Sequence, residues 1–194
     1  DIGVFEGSSF LYTNSIPLGG DSITNDIALV LNIAQEEADK LKRQYGLALK
    51  SFIDNDNDII LNTCKDTNKS KIIKSSELIE IIEARIEEMF SIINKDITNH
   101  GLKQKINNVV LTGQGIVNIN KSDVAGKINL NIPVKISTGR AISTVKPAYR
   151  TSYALVRYIA ARPFAKTVSS SIDTQSNESF IKMALERIKE FFYS

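Results

Sequence analysis

One stretch governs what this chain can become. From Ser76 to Asn99, Leu78, Ile82, Ile86, Met89, Ile93 and Ile97 recur every three or four residues, with polar residues between them. That spacing puts the apolar side chains on one stripe of a helix, and Gly101 supplies its stop. At 1.5 Å per residue the helix is about 36 Å long. An apolar stripe of that length must be covered along its whole extent. The rest of the chain therefore has to pack against it.

The elements available for packing are mixed. Ile2 to Phe5, a Glu6-Gly7-Ser8 turn and a second strand from Phe10 to Ile16 read as a β-hairpin. Pro17 ends it, and Gly19-Gly20 make a tight turn. Asp21 or Ser22 can cap a helix through Ile23, Ile27 and Leu31. Gln35 to Tyr45 carries Ala38, Leu41 and Tyr45 on one helical face, and Gly46 stops it. Ser51 to Thr63 reads as a second hairpin around the polar tip Asp54-Asn55-Asp56-Asn57-Asp58. That tip is similar to the start of a calcium loop. Ile59 stands where such a loop needs Gly, and Lys65 where it needs Glu, so calcium is excluded. Lys65 to Lys71 is a polar loop before the long helix.

After the long helix, Val109 to Leu111 reads as a short buried strand ending in Thr112-Gly113-Gln114-Gly115. A short helix is expected near Val124, a strand at Val134 to Ile136, and a helix from Ala148 to Ala160 opened by Lys146-Pro147. Strands and helices interleave, which is an α/β pattern. Residues 33–99 read as an insertion with its own hairpin and the long helix.

Composition narrows the function classes. Of 194 residues, 42% are hydrophobic, enough for a real core. Charged residues are 24% with a net charge of +2, and no basic block stands out. A dedicated nucleic-acid binder usually carries a basic stripe, so no nucleic-acid partner is expected. Cys64 is the single cysteine, which forbids a disulfide within the chain and makes a poor nucleophile without a paired histidine. His100 is also single and precedes Gly101, which suits a helix C-terminus rather than a metal site. No metal site is expected. No apolar run approaches the roughly 18 residues of a transmembrane helix, and no signal-peptide pattern opens the chain. The first residue leads straight into a strand, as expected of a piece of a longer protein.

The C-terminal end changes character. Residues 163–178 are rich in Ser, Thr, Gln and Asn and read as a flexible linker. Residues 179–193 then place Phe180, Ile181, Ala184, Leu185, Ile188, Phe191 and Phe192 on one broad stripe. Lys182, Arg187 and Lys189 flank it, with Glu186 and Glu190. Such a helix can lie in the interface of a bilayer, and a long polar tether is more than a core helix needs.

Four motifs in order resemble the bacterial cell division FtsA family of the actin-like superfamily. The first is Asp1-Ile2-Gly3-Val4-Phe5-Glu6-Gly7 leading to Ile16-Pro17-Leu18-Gly19-Gly20-Asp21-Ser22-Ile23-Thr24-Asn25-Asp26-Ile27-Ala28. The second is Glu36-Glu37-Ala38-Asp39-Lys40-Leu41-Lys42 followed by Tyr45-Gly46. The third is Val109-Val110-Leu111-Thr112-Gly113-Gln114-Gly115, with Gln114 where the family's motif has its middle glycine. The fourth is Lys146-Pro147-Ala148-Tyr149 with Thr151, Tyr153 and Ala154.

The resemblance implies the second lobe of an actin-like (ribonuclease H-like) α/β fold with an inserted α+β subdomain. The core would be residues 1–32 and 100–162, and the insertion 33–99. It implies ATP, with Mg, in a cleft shared with a first lobe that this chain does not contain. On this side Gly19, Gly20, Asp39, Lys42, Gly113, Gln114 and Gly115 would face the nucleotide. Asp39 would accept from ribose hydroxyls and Lys42 would lie one turn on. Half of such a site has no catalytic residue of its own and is not expected to hydrolyse ATP or bind it tightly. The insertion would receive the C-terminal tail of FtsZ through Arg85, Met89, Asn94 and Lys95, while Glu88 offers Arg85 a partner on its own helix. Phe180, Ile181, Leu185, Ile188, Phe191 and Phe192 would seat the last helix on the inner face of the cytoplasmic membrane. Self-association into filaments at the division site is the further expectation. The alternative is the second lobe of another actin-like ATPase, of sugar-kinase, chaperone or pilus-assembly type.

Overall fold

A computed structural model of the chain describes residues 1–61, 71–137 and 149–160, apart from the Arg150 side chain. The chain divides into two compact units, Asp1–Thr138 and Gly139–Ser194. In the first unit, β1 (Ile2–Glu6) and β2 (Ser9–Asn14) form an antiparallel hairpin, with Val4 opposite Tyr12. Gly7 takes φ +58° in its turn, a left-handed conformation that glycine adopts without steric cost. Then come α1 (Gly20–Leu31) and α2 (Gln35–Tyr45). After a single turn at Lys50–Phe52, β3 (Asp58–Leu61) pairs antiparallel with β4 (Lys71–Lys74), and α3 (Ser75–Asn99) follows at once. The unit closes with β5 (Val109–Leu111), α4 (Gln114–Val117), α5 (Ser122–Leu130) and β6 (Val134–Ile136), β5 and β6 running parallel. In the second unit the described element is α6 (Arg150–Ala160), where the Arg157 guanidinium lies 6.0 Å from the Tyr153 ring centre.

The long helix is the centre of the first unit. Leu78, Ile82 and Ile86 are fully buried, and Phe90 and Ile97 extend the stripe toward its end. One side meets α1 through Ile23, Ile27 and Leu31, and the other meets α5 through Ala125 and Leu130. Gly126 of α5 is required by that packing, because a Cβ there would lie 2.9 Å from the Phe90 ring. A single apolar cluster runs from Ile23 through Ile33, Ala38, Leu49, Ile59, Ile73 and Ile82 to Ile119 and Ile132. Residues 33–99 thus share one core with the residues on both sides of them.

Two expectations need correction. Ser51 to Thr63 is not a hairpin by itself, since β3 finds its partner at Lys71–Lys74. Burial decides this: Ile59 and Leu61 point inward, Ile59 opposite buried Ile73, while Ile60 and Ile72 face out together. Part of the expected polar loop is therefore strand; residues 62–70, with Cys64, lie outside the described residues. The acidic tip has a structural role as well. Asp56 accepts from the Ser76 N–H at 2.8 Å and from the Ser75 and Ser76 hydroxyls at 3.0 and 2.9 Å. It caps α3 from a distance, and these donors hold its carboxyl below the usual range. The second correction concerns β5, which is half-covered rather than buried, with Val110 58% exposed.

Candidate functional site

The site begins where β2 gives way to α1. The Gly19 N–H donates to Oγ of Ser22 at 3.2 Å, and the Ser22 N–H donates back to the Gly19 carbonyl at 3.0 Å. The capping residue is therefore Gly19, with Ser22 as its reciprocal partner, rather than Asp21 or Ser22 as cap. One turn on, the buried Thr24 hydroxyl donates to the Gly20 carbonyl at 3.1 Å.

Helix α2 reaches this corner through Lys42, which is 9% exposed. Its Nζ donates to Thr24 Oγ1 at 2.6 Å and to the Gly20 carbonyl at 3.0 Å, and lies 2.9 Å from Asp39 Oδ1. An ammonium has three N–H groups, so all three are engaged. The other Asp39 oxygen accepts from Arg43 Nε at 2.7 Å. Hydrogen bonding from Lys42, and then from Arg43, holds the Asp39 carboxyl below the usual carboxylate range against partial burial.

Helix α4 completes the corner. Gly113, its N-cap, has φ +96°, which the turn out of β5 requires. Gly115 meets Gly20 backbone to backbone: a Cβ on Gly20 would lie 2.7 Å from the Gly115 Cα, and one on Gly115 would lie 2.9 Å from the Gly20 nitrogen. Neither position admits a larger residue without moving a helix.

These elements enclose a cleft of about 500 Å³, within the usual size of small-molecule sites. It is lined by Ile16 to Ser22, Asp39, Lys42, Arg43, Gln114, Gly115, Asn118 and Ile119. Gly19, Gly20, Asp39, Lys42, Gln114 and Gly115 of the expected nucleotide set thus come together from three helices. Gly113 stands beside them without lining the cleft. Two residues of this corner escaped sequence reading: Arg43, whose i,i+4 spacing from Asp39 was the available signal, and Thr24, whose partner is remote in sequence.

The second expected set lies elsewhere. Arg85 on α3 forks onto Asp26 of α1, with Nε on Oδ2 and Nη2 on Oδ1 at 2.8 Å, and its Nη1 meets Glu88. The tie to Asp26 raises the guanidinium pKa further. Met89 is half-buried against the core. Asn94 accepts from Lys103 Nζ through its side chain and from Thr98 Oγ1 through its carbonyl at 2.6 Å. Lys95 is exposed. Phe180, Ile181, Leu185, Ile188, Phe191 and Phe192, with the linker before them, lie outside the described residues. Among the described residues no helix is long and apolar enough to cross a membrane.

Comparison with known proteins bears on the family and the fold. The family model "Cell division protein FtsA" matches residues 1–154. The cell division protein FtsA of Bacillus subtilis is 31% identical over 157 residues, covering 81% of this chain and 35% of the relative. That of Buchnera aphidicola is 30% identical over 206 residues, covering 98% and 48%. The chain thus spans less than half the length of these relatives. Among solved structures, MreB5 of Spiroplasma citri bound to AMPPNP has TM-score 0.63 at 16% identity, covering 84% of this chain and 50% of that one. The same protein bound to ADP has TM-score 0.57 at 20% identity, covering 67% and 43%. These likenesses bear on the fold, which is actin-like. With a family match across 154 residues and relatives aligned along most of its length, this chain belongs to the FtsA family of cell division proteins.

Proposed function

We propose that this chain supplies the second lobe of an actin-like division protein that binds ATP, polymerises and anchors FtsZ filaments to the cytoplasmic membrane. The observation that carries the nucleotide part is the convergence of Gly19, Gly20, Asp39, Gln114 and Gly115 on one cleft. The N-terminus of α1 lines it, and the positive end of the helix dipole suits phosphate oxygens even with the Gly19 and Ser22 N–H groups engaged in the cap. Asp39 has about four lone-pair sites, two of them used, which leaves two for a ribose diol. The MreB5 structures carry ADP and AMPPNP, which supports the reading by likeness of fold. Mg would arrive with the phosphates, neutralising their charge.

Phosphoryl transfer depends on positioning and charge neutralisation from both sides of the phosphates. By itself this chain is therefore assigned weak ATP binding and no hydrolysis. Isothermal calorimetry on the chain tests this: submillimolar ATP affinity overturns it.

For the partner, we assign residues 33–99 as an inserted subdomain on a core of residues 1–32 and 100–162. Its long helix presents Arg85, Met89, Asn94 and Lys95 to the FtsZ tail. Basic residues beside apolar ones suit a short acidic, apolar peptide. Anisotropy with an FtsZ tail peptide is the test. Because Arg85 also ties two helices together, Lys95→Glu is measured beside Arg85→Glu, and unchanged affinity in both ends the assignment. For the membrane, residues 163–178 are the tether and 179–193 the interfacial helix. Liposome co-sedimentation with and without the residues after Ser179 decides it, and equal sedimentation removes the anchor. The acidic residues in that helix weaken single contacts, so polymerisation would add avidity.

A further inference from the structure

A second groove lies away from the cleft, and no residue lines both. It has a volume of about 830 Å³ and runs between the end of α2, the turn at Lys50–Phe52, the start of α3 and the start of α5. Backbone hydrogen bonds hold its walls. On one side the Ala48 N–H donates to the Asn120 carbonyl at 2.9 Å, and the Asn120 N–H donates to the Gly46 carbonyl at 3.0 Å. On the other, the Ser75 N–H donates to the Asn57 carbonyl at 2.8 Å, and the Asn57 N–H donates to Ser75 Oγ at 3.1 Å. The Lys50 N–H donates to a Glu83 carboxylate oxygen at 2.9 Å, which ties the turn to α3. A groove tied in this way is formed before any ligand arrives, so occupying it costs little ordering.

The backbone is satisfied, but the side chains are not. Among the described residues, the lining carboxylates of Asp54 and Asp123 and the lining carboxamides of Asn55 and Asn120 have no partner. Lys121 pairs with neither acid; its ammonium lies 4.9 Å from the centre of the Phe52 ring. Phe52 itself is 42% exposed and stands outside the apolar cluster, beside half-buried Ile53 and Leu47.

These groups define what they can receive. Two unpaired carboxylates call for cations. Carboxamides both donate and accept, which matches a peptide backbone. A helix has already spent its backbone groups internally, so the backbone on offer has to be extended. Successive side chains of an extended segment point opposite ways, so apolar ones can meet Phe52 and Ile53 while basic ones meet Asp54 and Asp123. We propose that this groove is a docking site for an extended partner peptide in which basic and apolar residues alternate. Its charge sense is opposite to that of Arg85 and Lys95, assigned above to an acidic tail. The long helix then serves two partners of opposite charge, one at its start and one along its later turns.

The test is amide NMR on the whole 15N-labelled chain, titrated with a pool of short peptides in which Arg or Lys alternates with Leu, Ile or Phe. The pool should shift the signals of Phe52 to Asn55 and of Asn120 to Asp123. A matched pool with Glu in place of the basic residues should shift neither segment, and nor should spermine, a cation without a backbone. Phe52→Ala should weaken the basic pool about tenfold, as truncating an aromatic anchor does. Asp54→Asn and Asp123→Asn should each weaken it about twofold to fivefold, the range of an exposed ion pair. Circular dichroism confirms that each variant is folded. The absence of any shift with the basic pool into the millimolar range overturns the proposal. So do shifts confined to other segments, equal binding of the Glu pool, or unchanged affinity in all three variants. An equal response to spermine overturns it too, because the groove would then be a cation site and not a peptide site.

Discussion

Lys42 Nζ donates to Thr24 Oγ1 across 2.6 Å, joining the second helix to the second turn of the helix that opens the cleft. The contact is buried, and the lysine carries its charge among three acceptors. Removing the ammonium as Lys42→Met keeps most of the apolar stem. A hydrogen bond to a charged group contributes about 1.5–3 kcal/mol, so a loss of about 2 kcal/mol is expected in urea unfolding. A double-mutant cycle with Thr24→Val should return a coupling of about 1 kcal/mol.

The Gly20–Gly115 contact predicts a sharp contrast between neighbours. Gly20→Ala forces a Cβ to 2.7 Å from the Gly115 Cα and should cost about 1–3 kcal/mol as overpacking. A Cβ on Gly19 meets nothing within 4 Å, so Gly19→Ala should be tolerated. Thermal melts of the two variants check this, and equal melting temperatures would falsify the backbone-contact account.

The Asp26–Arg85 fork predicts that substitutions at Arg85 act first on stability. Both side chains are only 20–23% exposed. Arg85→Ala should destabilise by about 1–3 kcal/mol, because Asp26 is left without its cation. Asp26→Ala should do the same, and the double variant should lose less than the sum. Additive losses in chemical denaturation would mean that the fork carries no coupling.

Asp39 gives a pH dependence with a definite sign. Its folded pKa is lowered, so its contribution to stability is present above the ordinary carboxylate range, near pH 4. That contribution is lost as the pH falls through the lower, folded value. Carboxyl 13C NMR should show Asp39 titrating below the ordinary carboxylate value. Lys42→Met should move it up more than Arg43→Ala does, because Lys42 contributes the larger hydrogen bond.

Much of this was legible in the sequence, and the failures have physical causes. The stripe from Leu78 to Ile97 announced α3, because period and length agree there and nothing else competes. The glycines at 19, 20 and 115 marked where a strand hands over to a helix, but the approach of Gly20 to Gly115 was not legible. The pairing of β3 was missed because Ile59 and Leu61 could satisfy alternation with a near partner as well as a far one. Only burial against α3 chooses Ile73. The saturation of Lys42 was invisible for a similar reason. One acceptor, Asp39, is local, but Gly20 and Thr24 lie 22 and 18 residues away. The Asp26–Arg85 fork spans 59 residues and has no local signature.

The single apolar cluster has a consequence for how this protein breathes. Ile27 of α1, Ile59 of β3, Ile82 of α3 and Ile119 before α5 belong to one packed set. An opening large enough to free any of these strands or helices strips cover from the others. Their slowest amide protons should therefore exchange with solvent through one shared event, at a common free energy. Helix α3 and the walls of the cleft would then lose protection together, as a single cooperative unit of hydrogen exchange.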